Sequence, residues 1–333
     1  MTVAVLTGAD GALGRRVAAL LGDDDAVDVV FHVAEPSSNG NGPSTGLTRA
    51  DVVVDLGSSD YDRRAERRES ATAATAQSLA VAEELRASHV VFVSSAMVYG
   101  ASSGNPVPLT EEQVLRPDND FVFGRQLASA EELVEQWRRE GDHRATSVLR
   151  PAVSLAEGRQ SRLATALVAG FGQRFAVDDP PSQFLHLDDL AAAVALSVRA
   201  RLDGVYNVAP DGWVAGDRVR ALSGESPRIP LPERVRDVLG RLRWRFQRGP
   251  IPPGLRSYTQ NPWVVSNGRL RAAGWTPTVT NEQVYVEGTE APWWTMISPQ
   301  RRQEGALLGG GLLIVGVAAA AAVVARRWWR RRT

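Results

Sequence analysis

The sequence predicts an α/β fold with a doubly wound parallel sheet, a smaller C-terminal lobe and one C-terminal hydrophobic helix. Short apolar runs alternate with helical patterns as far as residue 150, and the pattern changes beyond Pro151. Strands that alternate with helices form a parallel sheet with right-handed crossovers. Near the end of the chain, the twenty residues from Ala306 to Ala325 carry no charge. As a helix this run would span about 30 Å, which is the hydrocarbon thickness of a bilayer.

Five apolar runs in the first part of the chain predict the strands, in the order VAVL, VDVVFHV, ADVVVDL, HVVFVSSAMVYG and TSVLRPAV. A glycine-rich turn and a helix follow the first run, and further helices are predicted at Glu69–Ala87 and Phe121–Arg139. A polar loop, EPSSNGNGPSTGLTR, separates the second and third strands. In the lobe, the pattern predicts a helix near 163–170, followed by the runs FLHLDDLAAAVALSV and GVYNVAP.

The composition excludes several kinds of chemistry. The chain has no cysteine, so disulfides and thiol nucleophiles are absent, and its four histidines stand at no metal-ligand spacing. All 38 basic residues are arginine, so no lysine can carry a proton. The five arginines after Ala325 bring the net charge to zero, because the rest of the chain has 33 basic and 38 acidic residues. This mildly acidic body gives no case for binding nucleic acid.

A glycine triplet stands at the first strand-to-helix turn, in the stretch TGADGALG. Gly8, Gly11 and Gly14 would permit the tight turn, the approach of a pyrophosphate and close helix packing, and the helix start would offer amide donors to phosphate. The pattern therefore predicts a dinucleotide site at this turn, although a structural turn alone would also account for the glycines.

TGADGALG, SSAMVYG, FGRQLASAE, LRPAV, FLHLDDLAAAV, GVYNVAP and RLRAAGWTP follow one another in order. With these landmarks the chain resembles the extended short-chain dehydrogenase/reductase family, which includes NAD-dependent sugar-nucleotide epimerases and dehydratases, over roughly residues 1 to 290. The resemblance implies a Rossmann-like fold and NAD or NADP as cofactor. The predicted regions are a dinucleotide-binding domain (1–150), a smaller substrate lobe (151–290), a linker (291–305), a transmembrane or membrane-embedded helix (306–325) and a basic tail (326–333).

The resemblance also identifies where the catalytic residues should stand. The family's serine or threonine, tyrosine and lysine fall on Ser95, Phe123 and Leu127. Positions i and i+4 share a helix face, so that the ammonium of the lysine can lower the pKa of the tyrosine phenol. Phenylalanine has no proton to donate, and leucine cannot shift a pKa. Arg125 does not substitute, because two residues turn it about 200° around the helix from Phe123. Ser95 is the remaining catalytic candidate, and a hydrogen-bonded strand-end residue is its alternative interpretation.

The five tyrosines offer no replacement for the missing phenol. Tyr99 is predicted to close the loop after the fourth strand. The other four lie outside the segments that carry chemistry, at Tyr61, Tyr206, Tyr258 and Tyr285. In FLHLDDLA, His186 beside Asp188 and Asp189 could form an acid–base pair, but we favour a structural role in which the acid caps a helix.

The cofactor contacts beyond the glycines depart from the family pattern. His32 falls near the place of the acid that holds the adenine ribose, with Glu35 three residues further on, and Asp55 stands where a histidine is usual. The polar loop replaces a strand and helix, so we expect an adenine pocket open on one side. Val153 replaces the asparagine that contacts a sugar diphosphate, which weakens the case for a nucleotide-sugar substrate. The predicted cofactor-binding residues are Gly8, Gly11, Ala12, Leu13, Gly14, His32, Leu56 and Gly57.

The apolar run at 306–325 lies between tryptophan pairs and arginines, as interfacial anchors do, and predicts attachment to the cell membrane. No apolar run opens the chain, so the body should face the cytoplasm. The arginines after the run favour a cytoplasmic tail as well, so either the tail crosses or the helix lies re-entrant with both ends inside. A basic amphipathic stretch at 233–249 would either lie on an anionic leaflet or pack on its own domain.

These features together predict a membrane-anchored protein similar to NAD-dependent epimerases and dehydratases but catalytically degenerate. It would act as a dinucleotide-binding sensor or scaffold, with a protein partner at the membrane. The alternative is an active NAD(P)-dependent epimerase, dehydratase or reductase that acts on a sugar nucleotide or related small molecule through an atypical acid or base. A structural anchor that binds no nucleotide is the third class.

Overall fold

A six-stranded parallel sheet organises the chain. The computed structural model describes residues 2–24, 27–33, 47–57, 70–155, 161–168, 179–223 and 253–289. The sheet strands are β1 (Thr2–Thr7), β2 (Val27–Val33), β3 (Val52–Asp55), β4 (His89–Val93), β5 (Ala145–Pro151) and β8 (Gly204–Val208), in the order β2-β1-β3-β4-β5-β8. A small parallel pair joins β6 (Val153–Leu155) to β7 (Phe184–His186). The strand order reverses between β1 and β3, which creates a topological switch point at their carboxyl ends.

Helices cover the sheet and leave its central strands buried. They are α1 (Ala12–Gly22), α2 (Ala71–Glu84), α3 (Val122–Arg139), α4 (Arg162–Val168), α5 (Leu187–Arg199), α6 (Gly216–Leu222), α7 (Gly268–Ala272) and α8 (Asn281–Gly288). Helix α1 packs against α5, and α2 packs against α3. Every residue of β3, β4 and β5 is buried, as expected for a parallel sheet with helices on its two faces. The predicted doubly wound, Rossmann-like sheet is therefore confirmed.

Two ion pairs fasten α1 to α5. Arg16 near the start of α1 contacts Asp188 at the start of α5, and Arg199 at the end of α5 contacts Asp24 just beyond α1. Arg199 also donates to the carbonyl of Leu20 at 3.1 Å. The two helices therefore run in the same direction, and both amino-terminal ends lie at the edge of the sheet where the strands end.

The observed boundaries differ from the predicted ones where a local hydrogen bond decides them. The helix predicted at Glu69–Ala87 begins at Ala71, because the Ser70 side chain accepts from the amide of Ala73. The strand predicted over HVVFVSSAMVYG ends at Val93, and Ala96–Tyr99 forms a 3-10 turn.

The chain beyond residue 150 returns to the main sheet as β8, which pairs with β5. All the described residues belong to one compact unit, Met1–Thr289. Buried amides tie the later segments together: Gln183 donates to the carbonyl of Gly212 at 2.8 Å and accepts from the amide of Val265 at 2.8 Å. The division into domains at 150 remains a prediction.

The predicted membrane helix at 306–325, the linker before it, the basic tail at 326–333 and the amphipathic stretch at 233–249 all lie outside the described residues. Among the helices that the structure does describe, none has the length and apolar character needed to cross a bilayer. The C-terminal hydrophobic helix therefore has no support from the structure and stays a sequence-based prediction.

Candidate functional site

The switch point brings the first glycine-rich turn into contact with the end of β3. Gly8 has a φ of +67°, and a Cβ on it would lie 2.2 Å from the Cα atom of Gly57. The amide of Leu56 donates to the carbonyl of Thr7 at 3.0 Å. Only glycine fits at position 8, both because of its left-handed conformation and because the two backbones touch.

The start of α1 is open to a ligand. Gly11 is the N-cap residue in an extended conformation, and Gly11, Ala12 and Leu13 are partly exposed. The first amides of a helix have no partner within the helix, and the first turn of α1 holds no acidic residue. A Cβ on Gly14 would lie 2.0 Å from the carbonyl oxygen of Ala9, so this glycine allows the helix to pack onto the turn. The arrangement fits a pyrophosphate.

Of the eight predicted cofactor-binding residues, seven lie around this turn and the adjoining end of β3; they are Gly8, Gly11, Ala12, Leu13, Gly14, Leu56 and Gly57. The eighth, His32, lies on β2 opposite Leu6, and Val33 pairs with Thr7. The end of β2 therefore lies beside the turn. The His32 side chain, Glu35 and the rest of the polar loop up to residue 46 fall outside the part of the chain that can be described.

Asp55 is a buried carboxylate at the end of β3. It is 1% exposed and accepts a hydrogen bond from the Thr75 hydroxyl of α2 at 3.1 Å. Beside it, the hydroxyls of Thr7 and Ser78 are 2.9 Å apart. These bonds direct Asp55 towards α2 and attach the helix to the carboxyl edge of the sheet.

Ser95 lies directly after β4, at the same edge, and is partly exposed. Its Oγ accepts a hydrogen bond from the amide of Met97 at 3.2 Å and so caps the 3-10 turn. The oxygen is engaged as an acceptor, whereas its hydrogen remains able to donate to a ligand. Both sequence interpretations of Ser95, a strand-end hydrogen bond and a ligand contact, are compatible with this geometry.

The positions of the missing tyrosine and lysine lie in the core. On α3, Phe123 is 7% exposed and Leu127 is 0% exposed. The ring of Phe123 lies edge-on to Phe121 at 6.1 Å, and Phe121 lies edge-on to Tyr258 at 5.5 Å. Arg125 is exposed, as expected for a residue two positions from Phe123. No ionisable group therefore occupies either position.

One turn further along the same face of α3, Glu131 is the centre of a buried polar network that the sequence did not predict. Its carboxylate accepts from the Ser94 hydroxyl at 2.6 Å and from Arg150 Nη2 at 2.6 Å. Arg150 Nη1 donates to the Tyr99 hydroxyl at 2.7 Å, which donates to Asn207 Oδ1 at 2.8 Å. The network joins the end of β4 to α3, β5 and β8.

Two tyrosines near the turn after β4 donate their hydroxyl hydrogens to other groups of the protein. Burial raises the pKa of Tyr99, although Arg150 opposes the shift. Tyr258 was predicted to lie outside the segments that carry chemistry, but its hydroxyl donates to the Met97 carbonyl at 2.8 Å, in the turn after Ser95. Burial raises the pKa of Tyr258 to about 12. Tyr258 was missed because it lies far along the chain from that turn; its role there is to hold the turn.

The histidine and acids of FLHLDDLA have structural roles, but the predicted capping residue was wrong. His186 itself is the N-cap of α5, and its Nδ1 accepts from the amide of Asp188 at 3.2 Å. Asp189 is buried and accepts from the amide of Thr278 at 3.0 Å and from its hydroxyl at 2.6 Å. These hydrogen bonds from Thr278 to Asp189 fix the segment that leads to α8. The Asp189 side chain points away from the start of its own helix and therefore does not cap it.

Residues 4–209 match the model of a family described as the NAD dependent epimerase/dehydratase family. Similar solved structures include the UDP-Glc/GlcNAc 4-epimerase of Campylobacter jejuni, which is 14% identical with a TM-score of 0.61 over 86% of this chain and 98% of that one. RMD from Pseudomonas aeruginosa complexed with NADPH is 21% identical, with a TM-score of 0.58 over 86% and 97% of the two chains. The UDP-glucose 4-epimerase of Thermus thermophilus complexed with NAD is 15% identical, with a TM-score of 0.59 over 86% and 97%. At these identities the likeness shows the fold. No curated protein matches the sequence.

Proposed function

The chain belongs to the NAD-dependent epimerase/dehydratase family, and from this membership we propose that it binds NAD or NADP without performing the proton transfer for which relatives use tyrosine and lysine. It then acts as a dinucleotide-responsive sensor or scaffold for a partner protein. The predicted helix at 306–325 tethers it to the membrane, with the body in the cytoplasm.

The glycine-rich turn supports the binding part of the proposal. Gly11, Ala12 and Leu13 present the open start of α1, and the Gly8–Gly57 contact holds the end of β3 beside it. The helix amides and the positive end of the helix dipole favour a phosphate there. When bound, a nicotinamide dinucleotide supplies hydride chemistry, and the residues of the turn would orient it.

The loss of catalysis depends on one observation, the burial of Phe123 and Leu127. A benzene ring and an aliphatic side chain occupy the i and i+4 positions, with 7% and 0% exposure. Neither side chain can donate a proton, and neither can lower the pKa of a neighbour. Tyr99, in the turn after β4, and Tyr258, which donates to that turn, are both hydrogen-bonded with raised pKa values.

Calorimetry and turnover on the purified full chain test the proposal together. We expect a titration with NAD or NADP to show binding, and incubation with UDP-glucose, UDP-glucuronic acid or a dTDP-sugar to show no change in the sugar. Gly14→Val is the control variant and should lose dinucleotide binding, because its side chain would collide with Ala9. Conversion of any of these sugars by the unmodified chain would overturn the proposal, and so would the absence of binding by both cofactors.

The availability of the Ser95 hydrogen favours one alternative, an active enzyme in which Ser95 binds the reacting oxygen. Ser95→Ala distinguishes the two. If the chain is an enzyme, the variant loses turnover while its affinity for the dinucleotide is unchanged. If the chain is a sensor, Ser95→Ala leaves cofactor binding and partner capture unaltered.

A further inference from the structure

The choice between the two cofactors depends on one phosphate. NADP carries it on the 2′-oxygen of the adenine ribose, where NAD has a hydroxyl. Proteins that select NAD place an acid at the end of the second strand, where it holds the 2′-hydroxyl and repels a 2′-phosphate, whereas a nearby arginine accommodates the phosphate. Residues beside the end of β2 and the first turn therefore decide the preference.

The end of β2 supplies no acid. The last three residues of the strand are Phe31, His32 and Val33, and Val33 pairs with Thr7 immediately before the glycine-rich turn. Histidine carries no negative charge with which to repel a phosphate. The carboxyl end of the strand therefore carries no acid that would repel the 2′-phosphate, and Glu35, three residues after His32, lies outside the described residues.

Arg15 brings a cation to the glycine-rich turn. It lies in the first turn of α1, is exposed, and its Nη1 donates to the carbonyl oxygen of Asp10 at 2.8 Å. The side chain therefore runs back over the glycine-rich turn, in the direction that helical side chains take towards the amino end. A guanidinium has five N–H donors, and this hydrogen bond uses one.

The charge of Arg15 has no carboxylate partner among the residues that the structure describes. The next residue, Arg16, is different because its guanidinium contacts Asp188 on α5. Of two adjacent arginines at the start of the helix, one is used to pack α1 on α5 and the other lies exposed over the turn. The positive end of the helix dipole adds to the attraction for an anion at Arg15.

We propose that Arg15 is a specificity-determining residue whose guanidinium binds the 2′-phosphate, so that the chain prefers NADP(H) over NAD(H). The inference rests on the proposed function, because it requires a dinucleotide at the glycine-rich turn. It assigns the adenosine end of the cofactor to the side of the glycine-rich turn over which Arg15 lies.

Calorimetric titration of the full chain with NADP and NAD tests the assignment, with thermal unfolding as a check that each variant is folded. We expect the unmodified chain to bind NADP at least tenfold more tightly than NAD. Arg15→Ala should weaken NADP binding by about 10- to 100-fold, the usual effect of losing a hydrogen bond to a charged group, and change NAD binding less than threefold. Arg15→Lys should recover part of the NADP affinity.

Arg16→Ala is the matched control, since it removes a neighbouring charge that already has a partner. We expect it to leave the ratio of the two affinities unchanged. The probe 2′,5′-ADP should compete with NADP for the unmodified chain and lose this ability in Arg15→Ala. Tighter binding of NAD, or an equal loss of both cofactors in Arg15→Ala, would overturn the role of Arg15 while leaving the proposed function intact. Binding of neither cofactor would overturn both.

Discussion

His89 makes the stability of the fold depend on pH. It is the first residue of β4 and 2% exposed, and its Nε2 lies 2.9 Å from the Ser147 hydroxyl and 3.1 Å from the Leu202 carbonyl. Burial lowers the pKa of His89 to about 4 from 6.5, and the nearby charge of Arg201 acts in the same direction. The neutral imidazole fits the site, so protonation opposes folding.

The size of the effect follows from the two pKa values. The folded chain holds the proton less tightly than the unfolded chain, so the contribution is fully present above pH 6.5 and is lost as the pH falls towards 4. Each pKa unit corresponds to about 1.4 kcal/mol, so the loss approaches about 3 kcal/mol below pH 4. Between pH 7 and pH 5 it amounts to about 2 kcal/mol.

Urea unfolding of the full chain at pH 7 and pH 5 measures this loss. Carboxylates also contribute to acid sensitivity, so the decisive quantity is the difference between the unmodified chain and His89→Gln, whose amide can still donate to the Leu202 carbonyl. We expect the unmodified chain to lose about 2 kcal/mol more than His89→Gln over this interval. His143→Gln, at an exposed position, should behave as the unmodified chain. An equal loss in His89→Gln and the unmodified chain would refute the reasoning.

Three further predictions concern the turn, the buried network and Tyr258. Gly8→Ala should abolish calorimetric binding of the dinucleotide and destabilise the fold by about 2 kcal/mol or more in urea unfolding, because of its positive φ and the backbone contact, whereas Gly22→Ala, with open space around it, should do neither. Glu131→Gln should cost about 3 to 5 kcal/mol because it leaves a buried guanidinium uncompensated, and Glu132→Gln, on the exposed face, should cost less than about 0.5; similar values for both would disprove the role of the network. Tyr258→Phe should lower the free energy of unfolding by about 1 to 3 kcal/mol, because it removes a buried hydrogen bond to the Met97 carbonyl and the acceptor of the Asp118 amide; a loss that scales instead with an altered denaturant slope would point to a change in the unfolded state.

The sequence predicted the sheet and the glycine-rich turn because their signals are local. Apolar runs report burial directly, and Gly8, Gly11 and Gly14 lie within seven residues of one another. The direction of each helix and the place of the turn at the switch point then follow from the handedness of the crossovers. The positions of Phe123 and Leu127 on one face of α3 were also predictable, because the spacing of four residues is a local signal.

The buried network was not predictable, because its partners are distant in the chain and have no periodic pattern. Tyr99 and Asn207 are 108 positions apart, and Ser94 and Glu131 are 37 apart. Glu131 looks in the sequence like any glutamate on a solvated helix. One signal was available: it is eight residues after Phe123, and therefore on the buried face of the same helix.

The prediction of the residue that caps α5 was wrong for a related reason. Serine, threonine, asparagine and aspartate are the usual capping residues, so Asp188 and Asp189 attracted the assignment. A tertiary contact overrides this preference, because the Asp189 carboxylate accepts a hydrogen bond from the amide of Thr278, 89 residues away. Local preference yields when a buried carboxylate finds several donors at once.

The place of β8 affects how the protein is made. Residues 204–208 complete the sheet beside β5. A nascent chain that has left the ribosome only up to residue 150 therefore exposes β5 as an unpaired edge strand. Unpaired edges recruit other chains, so this intermediate is vulnerable to aggregation until some sixty more residues have been synthesised. Expression of residues 1–150 alone should therefore give inclusion bodies, and the useful place to cut the gene lies beyond residue 289, where the compact unit ends.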